Sequence, residues 1–268
     1  MDMTTEPQRH HSFNRLDNIE DISAIDPTKM TEEELYRLNI YHTTDDGQSE
    51  KQLHSLYGLV NEDQDREIIS SVHGKKVLDV GAGYGTLSRR LKDAGFEVTA
   101  IEPNPHTREI AKKWNNIDEL PHGIYQTPFE DNYFDTVILR ECVEHLNFPQ
   151  AMREINRICN RRVLVFQTNL NPLITLARKR IGHEEFNPQK LPYFKVNLEK
   201  SGFPKQKVLF RDPLAFPLSG GYHARQIVPR YPSIERVVLS FDKILTKVLR
   251  VFGLAPLICW RYLLIADK

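Results

Sequence analysis

Val77-Leu78-Asp79-Val80-Gly81-Ala82-Gly83-Tyr84-Gly85 is the stretch that decides the fold. It opens in a β-branched run over residues 75–80, which predicts a short buried strand. Three glycines in five residues follow, and then Thr86-Leu-Ser-Arg-Arg-Leu, whose apolar spacing predicts a helix over 86–94 stopped by Gly95. A second strand is expected over 97–101, and it ends in an acid, Glu102, 17 residues after Gly85. Glycines at a strand-to-helix turn let the backbone reverse sharply and let a ligand approach closer than a Cβ would permit. The amides that open the helix add partial positive charge suited to a carboxylate or phosphate. A carboxylate at Glu102 can accept from both hydroxyls of a ribose.

Two kinds of nucleotide ligand use such a turn, and the residues separate them. The dinucleotide fingerprint is Gly-x-Gly-x-x-Gly, whereas here the spacing is Gly-x-Gly-x-Gly, with Asp79 two residues before the first glycine. A carboxylate beside a pyrophosphate repels it, while beside the ammonium of a methionine moiety it attracts. A tight turn with no ligand is the competing reading of five residues alone. Asp79, the strand and helix context and Glu102 together weigh against it.

Outward from this stretch the alternation continues. A helix is expected over 105–115, begun by proline in its favoured first turn. A weak strand is expected over 122–125 and a clear one over 135–139, followed by a helix over 149–159 and a strand over 161–166. Strands separated by helices imply crossover connections and a mainly parallel sheet covered on both faces. The expected fold class is therefore α/β, a doubly wound, mainly parallel sheet of seven strands. N-terminal helices are expected over 31–42 and 48–72. Helices over 172–181, 188–200 and 233–252, strands over 205–210 and 259–266, and a proline- and glycine-rich loop over 211–232 make a C-terminal helical and loop cap. The expected division is a disordered leader over 1–30, a helical segment over 31–73, a cofactor-binding core over 74–170, and a cap with the last strands over 171–268.

Composition narrows the function classes. With 268 residues, 40% apolar, the chain can bury a real core. Lysine plus arginine equals aspartate plus glutamate at 36 each, so no net charge favours nucleic acid. Cys142, Cys159 and Cys259 are an odd, widely spaced set, which argues against a disulfide framework or zinc site and suits a reducing compartment. No apolar run reaches the roughly 20 residues that span a bilayer. A cytoplasmic protein is expected, with peripheral contact to a membrane as the alternative. Basic residues at 178–180, and at 236, 243, 247 and 250 of the long amphipathic helix, support that alternative. The favoured reading is that the apolar positions 234, 237, 238, 241, 245, 248 and 252 face the core.

These motifs resemble those of the class I S-adenosylmethionine-dependent methyltransferases, especially the group that contains the ubiquinone-pathway O-methyltransferases. Residues 77–85 look like the family's first motif, and Glu102-Pro103-Asn104 like its ribose-binding acid. Pro128-Phe-Glu-Asp-Asn-Tyr-Phe-Asp135 looks like the segment before its fourth strand, and Glu141-Cys-Val-Glu-His-Leu146 like the stretch after that strand. The resemblance covers roughly residues 70–170. It implies S-adenosyl-L-methionine as cofactor. Asp79 and Gly81 would hold its methionine part, Glu102 the ribose, and residues after the fourth strand the sulfonium side, with Ala82, Gly83, Tyr84, Gly85, Pro103, Arg140 and Glu141 also among the expected cofactor-binding residues. The family usually has an acid after its third strand that meets the adenine amino group. Ile124, Tyr125 and Gln126 stand there in this chain, and Gln126 or Glu130 is the candidate substitute.

Methyl transfer from a sulfonium is an in-line displacement, so the protein must align the acceptor and, for a hydroxyl or amine, remove a proton. His145 is the first candidate base, because it follows the fourth strand and imidazoles titrate near neutrality. A packing or pocket-shaping role for it is an equal alternative. His183, in the expected cap, is a second candidate. No metal is expected, since Glu184 and Glu185 are adjacent and no further carboxylates match them. The acceptor class is a small molecule, lipid or glycan, methylated most readily on oxygen, and no nucleic-acid partner is expected. A protein or nucleic-acid methyltransferase, or a silent fold member that only binds, are the alternatives.

Overall fold

The computed structural model describes residues 56–180, 189–219, 227–229 and 231–268. The expected leader, the helix over 31–42, and His183, Glu184 and Glu185 lie outside the described residues. The elements are α1 (Leu56–Ser70), β1 (Lys76–Val80), α2 (Thr86–Asp93), β2 (Glu97–Ile101), α3 (Pro105–Asn115) and β3 (Phe134–Arg140). They continue with α4 (Phe148–Ile158), β4 (Cys159–Thr168), α5 (Pro172–Arg180), α6 (Leu191–Lys200) and β5 (Lys205–Arg211). The chain ends with α7 (Ala215–Leu218), α8 (Pro232–Val251), α9 (Ala255–Ile258) and β6 (Arg261–Asp267).

The sheet runs β2-β1-β3-β4-β6-β5. The first four strands are parallel, and β6 inserts antiparallel between β4 and β5. Alternate side chains of the buried strands feed two layers. Leu78, Val80, Val137, Leu139, Val163 and Val165 meet Phe148, Met152 and Ile155 of α4 and Phe194 of α6. Val77, Ile138, Leu164 and Phe166 meet Ile68 of α1 and Leu87 and Leu91 of α2. Strand order reverses between β1 and β3, and in open α/β sheets that switch point opens a crevice beyond the carboxyl ends of the strands.

Two expectations are corrected. Among the described residues the sheet has six strands, not seven. The strand expected over 122–125 is absent, and only Leu120 pairs with Ile101, as an isolated parallel bridge. Pro121 and Gly123 flank His122, and a proline without an N–H beside a glycine does not sustain a ladder. The long helix is also rotated from its expected setting. Of the expected positions, Val238 and Leu245 pack against the core, but the residues α8 buries are Glu235, Leu239, Asp242, Thr246 and Leu249, while Ile234, Val237, Phe241, Val248 and, just past the helix end, Phe252 are exposed. Polar anchors set this rotation: Asp242 accepts from the Leu214 and Ala215 amides at 2.7 Å, Lys243 pairs with Asp63 at 2.5 Å, and Arg250 donates to the Phe210 carbonyl at 2.6 Å. No described helix is long and apolar enough to cross a membrane.

The entry to β1 is pinned by one close approach. Gly74 has φ +73°, and a Cβ there would lie 2.4 Å from the Asp135 Cβ. Asp135 accepts from the Lys75 and Lys76 amides at 2.7 and 3.0 Å, which seats β1 beside β3. Gly74→Ala is therefore expected to destabilise the fold by about 2–4 kcal/mol, the sum of a left-handed alanine and an overpacked contact. Urea denaturation reads this as a lower midpoint at unchanged slope.

Candidate active site

The cleft at the switch point encloses about 850 Å³, within the roughly 300–1,000 Å³ of small-molecule sites. Its floor is the turn from β1 into α2. Gly81, Gly83 and Gly85 all have positive φ, near +63°, +62° and +73°, a region closed to most side chains. They differ in what surrounds them. A Cβ on Gly81 would press on Cys142 at 3.0 Å, and one on Gly85 would meet Ala111 and Ile117 at 3.2 Å. Around Gly83 nothing lies within 4 Å, so the chain is bare where it faces open space. Gly81, Ala82, Gly83 and Tyr84 line the cleft, whereas Gly85 is a packing residue beneath it.

Asp79 lines the same floor and is 2% exposed. It accepts from the Ser88 hydroxyl at 2.6 Å. Burial pushes its carboxyl up to about 6, with the Ser88 bond acting in the opposite direction. Glu102 closes one wall. One oxygen accepts from the Gly83 amide at 3.2 Å and the other from the Asn104 amide at 2.9 Å, so the acid holds the glycine turn and keeps further lone pairs. Pro103, Asn104, Thr107, His122, Gly123, Ile124 and Tyr125 extend the lining on this side. Gln126 and Glu130 are exposed and are not among the lining residues. The segment between them is held to α4 by Arg157, which donates to the Thr127 and Phe129 carbonyls.

The opposite wall carries Tyr57 and Asn61 of α1 together with Arg140, Glu141, Cys142, His145 and Leu146. Asp65 of α1 is buried between Arg90 of α2 and Arg140, which pairs with it at 2.5 Å and ties the helix over the strand ends. Glu141 takes a left-handed φ of +52°, and its carboxylate pairs with Arg261, itself 1% exposed beneath the Phe216 ring. A non-glycine residue held there by an ion pair marks a position fixed by its surroundings. Burial, with the neighbouring acids adding repulsion, holds the Cys142 thiol well above its ordinary range, which favours the neutral thiol. His145 sits in a 3-10 turn over Val143–His145 and also lines a second, adjoining cavity of about 420 Å³ with Glu144, Asn147, Gln189 and Tyr193. It stands where the two cavities join. Among the described residues no three histidine, cysteine or acidic side chains cluster as metal ligands.

Glu119 carries no signal in the sequence that sets it apart from other acids. Neither of its oxygens reaches solvent or a hydrogen-bond partner among the described residues. Burial, with Asp79 and Glu102 adding repulsion, raises its carboxyl from 4.5 to about 9. An acid whose pKa is raised on folding loses stability as pH rises from its unfolded value toward its folded one, here from 4.5 to about 9. Glu119→Gln removes that loss. It is expected to raise the melting temperature at pH 8 by about 2–8 °C and to leave it unchanged at pH 4.5. A scan at both pH values checks the difference.

A cation at one end and a vicinal diol further along would satisfy this cleft: Asp79 faces the first, Glu102 the second, and Gly83 leaves room between them. The fold and the site together define a doubly wound α/β protein with a nucleotide-type cleft. A family model described as "Methyltransferase domain" matches residues 78–166. A "Ubiquinone biosynthesis O-methyltransferase" of Actinobacillus pleuropneumoniae is 33% identical over 175 residues, covering 60% of this chain and 75% of that protein. The mitochondrial "Ubiquinone biosynthesis O-methyltransferase" of Schizosaccharomyces pombe is 36% identical over 84 residues, 29% of this chain and 31% of that protein. The chain spans only between 31% and 40% of this relative and two others matched over similarly short stretches. Among solved structures, a SAM dependent methyltransferase from Archaeoglobus fulgidus superposes with a TM-score of 0.56 at 20% identity, covering 78% of this chain and 93% of that one, a likeness of fold. The chain belongs to the class I S-adenosylmethionine-dependent methyltransferases.

Proposed function

We propose that this chain transfers a methyl group from S-adenosyl-L-methionine to an oxygen of a small-molecule, lipid or glycan acceptor. The observation that carries the reading is that His145 lines both the cleft that holds the glycine turn and the second cavity beside it. When bound, the cofactor supplies a methyl group already activated on a sulfonium. The ionised Asp79 attracts the ammonium of its methionine part, and the bare Gly81-Ala82-Gly83-Tyr84 backbone lets that part lie against the turn. Glu102 accepts from the ribose hydroxyls while keeping the Gly83 amide in place. His122, Ile124 and Tyr125 border the adenine end in place of the usual acid.

The acceptor enters from the side of the second cavity. Tyr57, Asn61 and Leu146 would bound the space in which its hydroxyl aligns, and His145 would take the hydroxyl proton while the methyl–sulfur bond gives way to the C–O bond, with the neutral thioether as leaving group. The Actinobacillus relative, a ubiquinone biosynthesis O-methyltransferase, makes a hydroxyl of a ubiquinone-biosynthesis intermediate the first acceptor to try. The cofactor-binding segment is assigned to 74–170, with 171–268 completing the sheet and bordering the acceptor side.

Mass spectrometry of products from a panel of phenols, lipid hydroxyls and sugars, with S-adenosylhomocysteine release as the second readout, tests the proposal. An O-methylated product on one class is expected. Tight cofactor binding with no transfer to any class, or methylation at carbon or nitrogen alone, would contradict it.

A further inference from the structure

The outward face of α8 is its apolar one. Ile234, Val237, Phe241, Ile244, Val248 and Val251 recur at alternating steps of three and four residues, and all are exposed, Val237 at 67% and Val251 at 82%. At 1.5 Å per residue the row spans about 25 Å. It continues beyond the helix through Phe252, 72% exposed, and Leu257, 52% exposed. Single exposed apolar residues are ordinary, but a continuous row marks a surface that something covers.

The charges on the same helix identify what covers it. Both acids of α8, Glu235 and Asp242, are turned inward, and its exposed ionic residues are all cations: Arg236 and Lys247, with Lys243 paired to Asp63 of α1. A second copy laid on this face would bring cations against cations with no acid on either helix, which is repulsive. An anionic bilayer complements both features: its acyl boundary takes the apolar row and its headgroups take the cations.

We propose that α8 is a membrane-docking helix that lies in the interface plane of an anionic lipid bilayer, with Val237, Phe241, Ile244 and Val248 buried at the acyl boundary. The docking goes beyond the transfer reaction and does not depend on it. Co-flotation of the full chain with vesicles tests it without cofactor or turnover, so failure of one reading leaves the other standing. The protein is expected to float with phosphatidylcholine vesicles that contain phosphatidylglycerol, and less with phosphatidylcholine alone or at high salt. Phe241→Asp combined with Val248→Asp is expected to weaken binding at least about tenfold. Both positions are exposed, so the thermal midpoint should stay put and report an intact fold. Arg236→Gln with Lys247→Gln is expected to remove the preference for anionic vesicles while leaving residual binding. Failure of the wild-type chain to float with anionic vesicles would overturn the proposal, as would equal flotation of the Asp variant. A solution dimer that the Phe241→Asp, Val248→Asp pair dissociates would likewise overturn it, assigning the face to a second copy.

Discussion

Asp79→Asn is expected to weaken S-adenosylmethionine binding about 100-fold at pH 8, which corresponds to the roughly 2–5 kcal/mol at stake in one partner of a buried charge pair. The carboxyl is buried on the floor of the cleft, and the Ser88 hydroxyl is its hydrogen-bond donor. With a folded pKa of about 6, it is ionised above that pH and neutral below it. Wild-type affinity should therefore fall as pH drops through 6, approaching tenfold per unit, while the asparagine variant changes little. The sign for stability is opposite. A carboxyl raised from 3.8 to about 6 destabilises the fold at neutral pH, so the variant should melt no lower than wild type. Weak binding in a protein of undiminished stability separates a ligand contact from damage to the turn. Calorimetric titrations between pH 5 and 8, with melting curves on the same samples, measure both.

The second large effect is on turnover. His145→Gln is expected to lower kcat by about 10²–10⁴, the usual contribution of a positioned general base, while the cofactor dissociation constant moves less than about threefold. His145 is exposed in its 3-10 turn, so glutamine should fold without strain. A more acidic acceptor hydroxyl needs less help in losing its proton, so the variant's deficit should shrink as acceptor acidity rises. A deficit independent of acceptor acidity would reassign His145 to shaping the pocket.

The legible part of this protein was the part whose geometry is local. The strand over 75–80, the glycine turn, the helix over 86–94 and Glu102 form one continuous unit, and the structure reproduces it within a residue or two. The strands β3 and β4 and the antiparallel pair β5 and β6 are similarly readable, because runs such as Val163-Leu-Val-Phe166 have no use outside a buried sheet. What escaped depends on contacts distant in sequence. Tyr57 and Asn61 reach the cleft because α1 is tied down by distant partners, Asp65 to Arg90 and Arg140 and Asp63 and Glu67 to Arg211, and no spacing within α1 announces them. Glu119 reads as one more acid in Asn-Ile-Asp-Glu, and only the tertiary position beside Asp79 and Glu102 makes it unusual. The rotation of α8 was misjudged for the same reason. Periodicity shows that a helix has an apolar face, but the direction of that face was set by Asp242, Lys243 and Arg250 binding partners 28, 180 and 40 residues away.

The proposed transfer reaction rests on the identity of the ligand on the glycine turn. Equilibrium titration of the full chain with S-adenosylhomocysteine and, in parallel, with NAD tests it most directly. One-to-one binding of S-adenosylhomocysteine is expected, weakened by Asp79→Asn, with no detectable binding of NAD, whose pyrophosphate would lie against the Asp79 carboxylate. A folded protein that binds NAD, or binds neither, would contradict it.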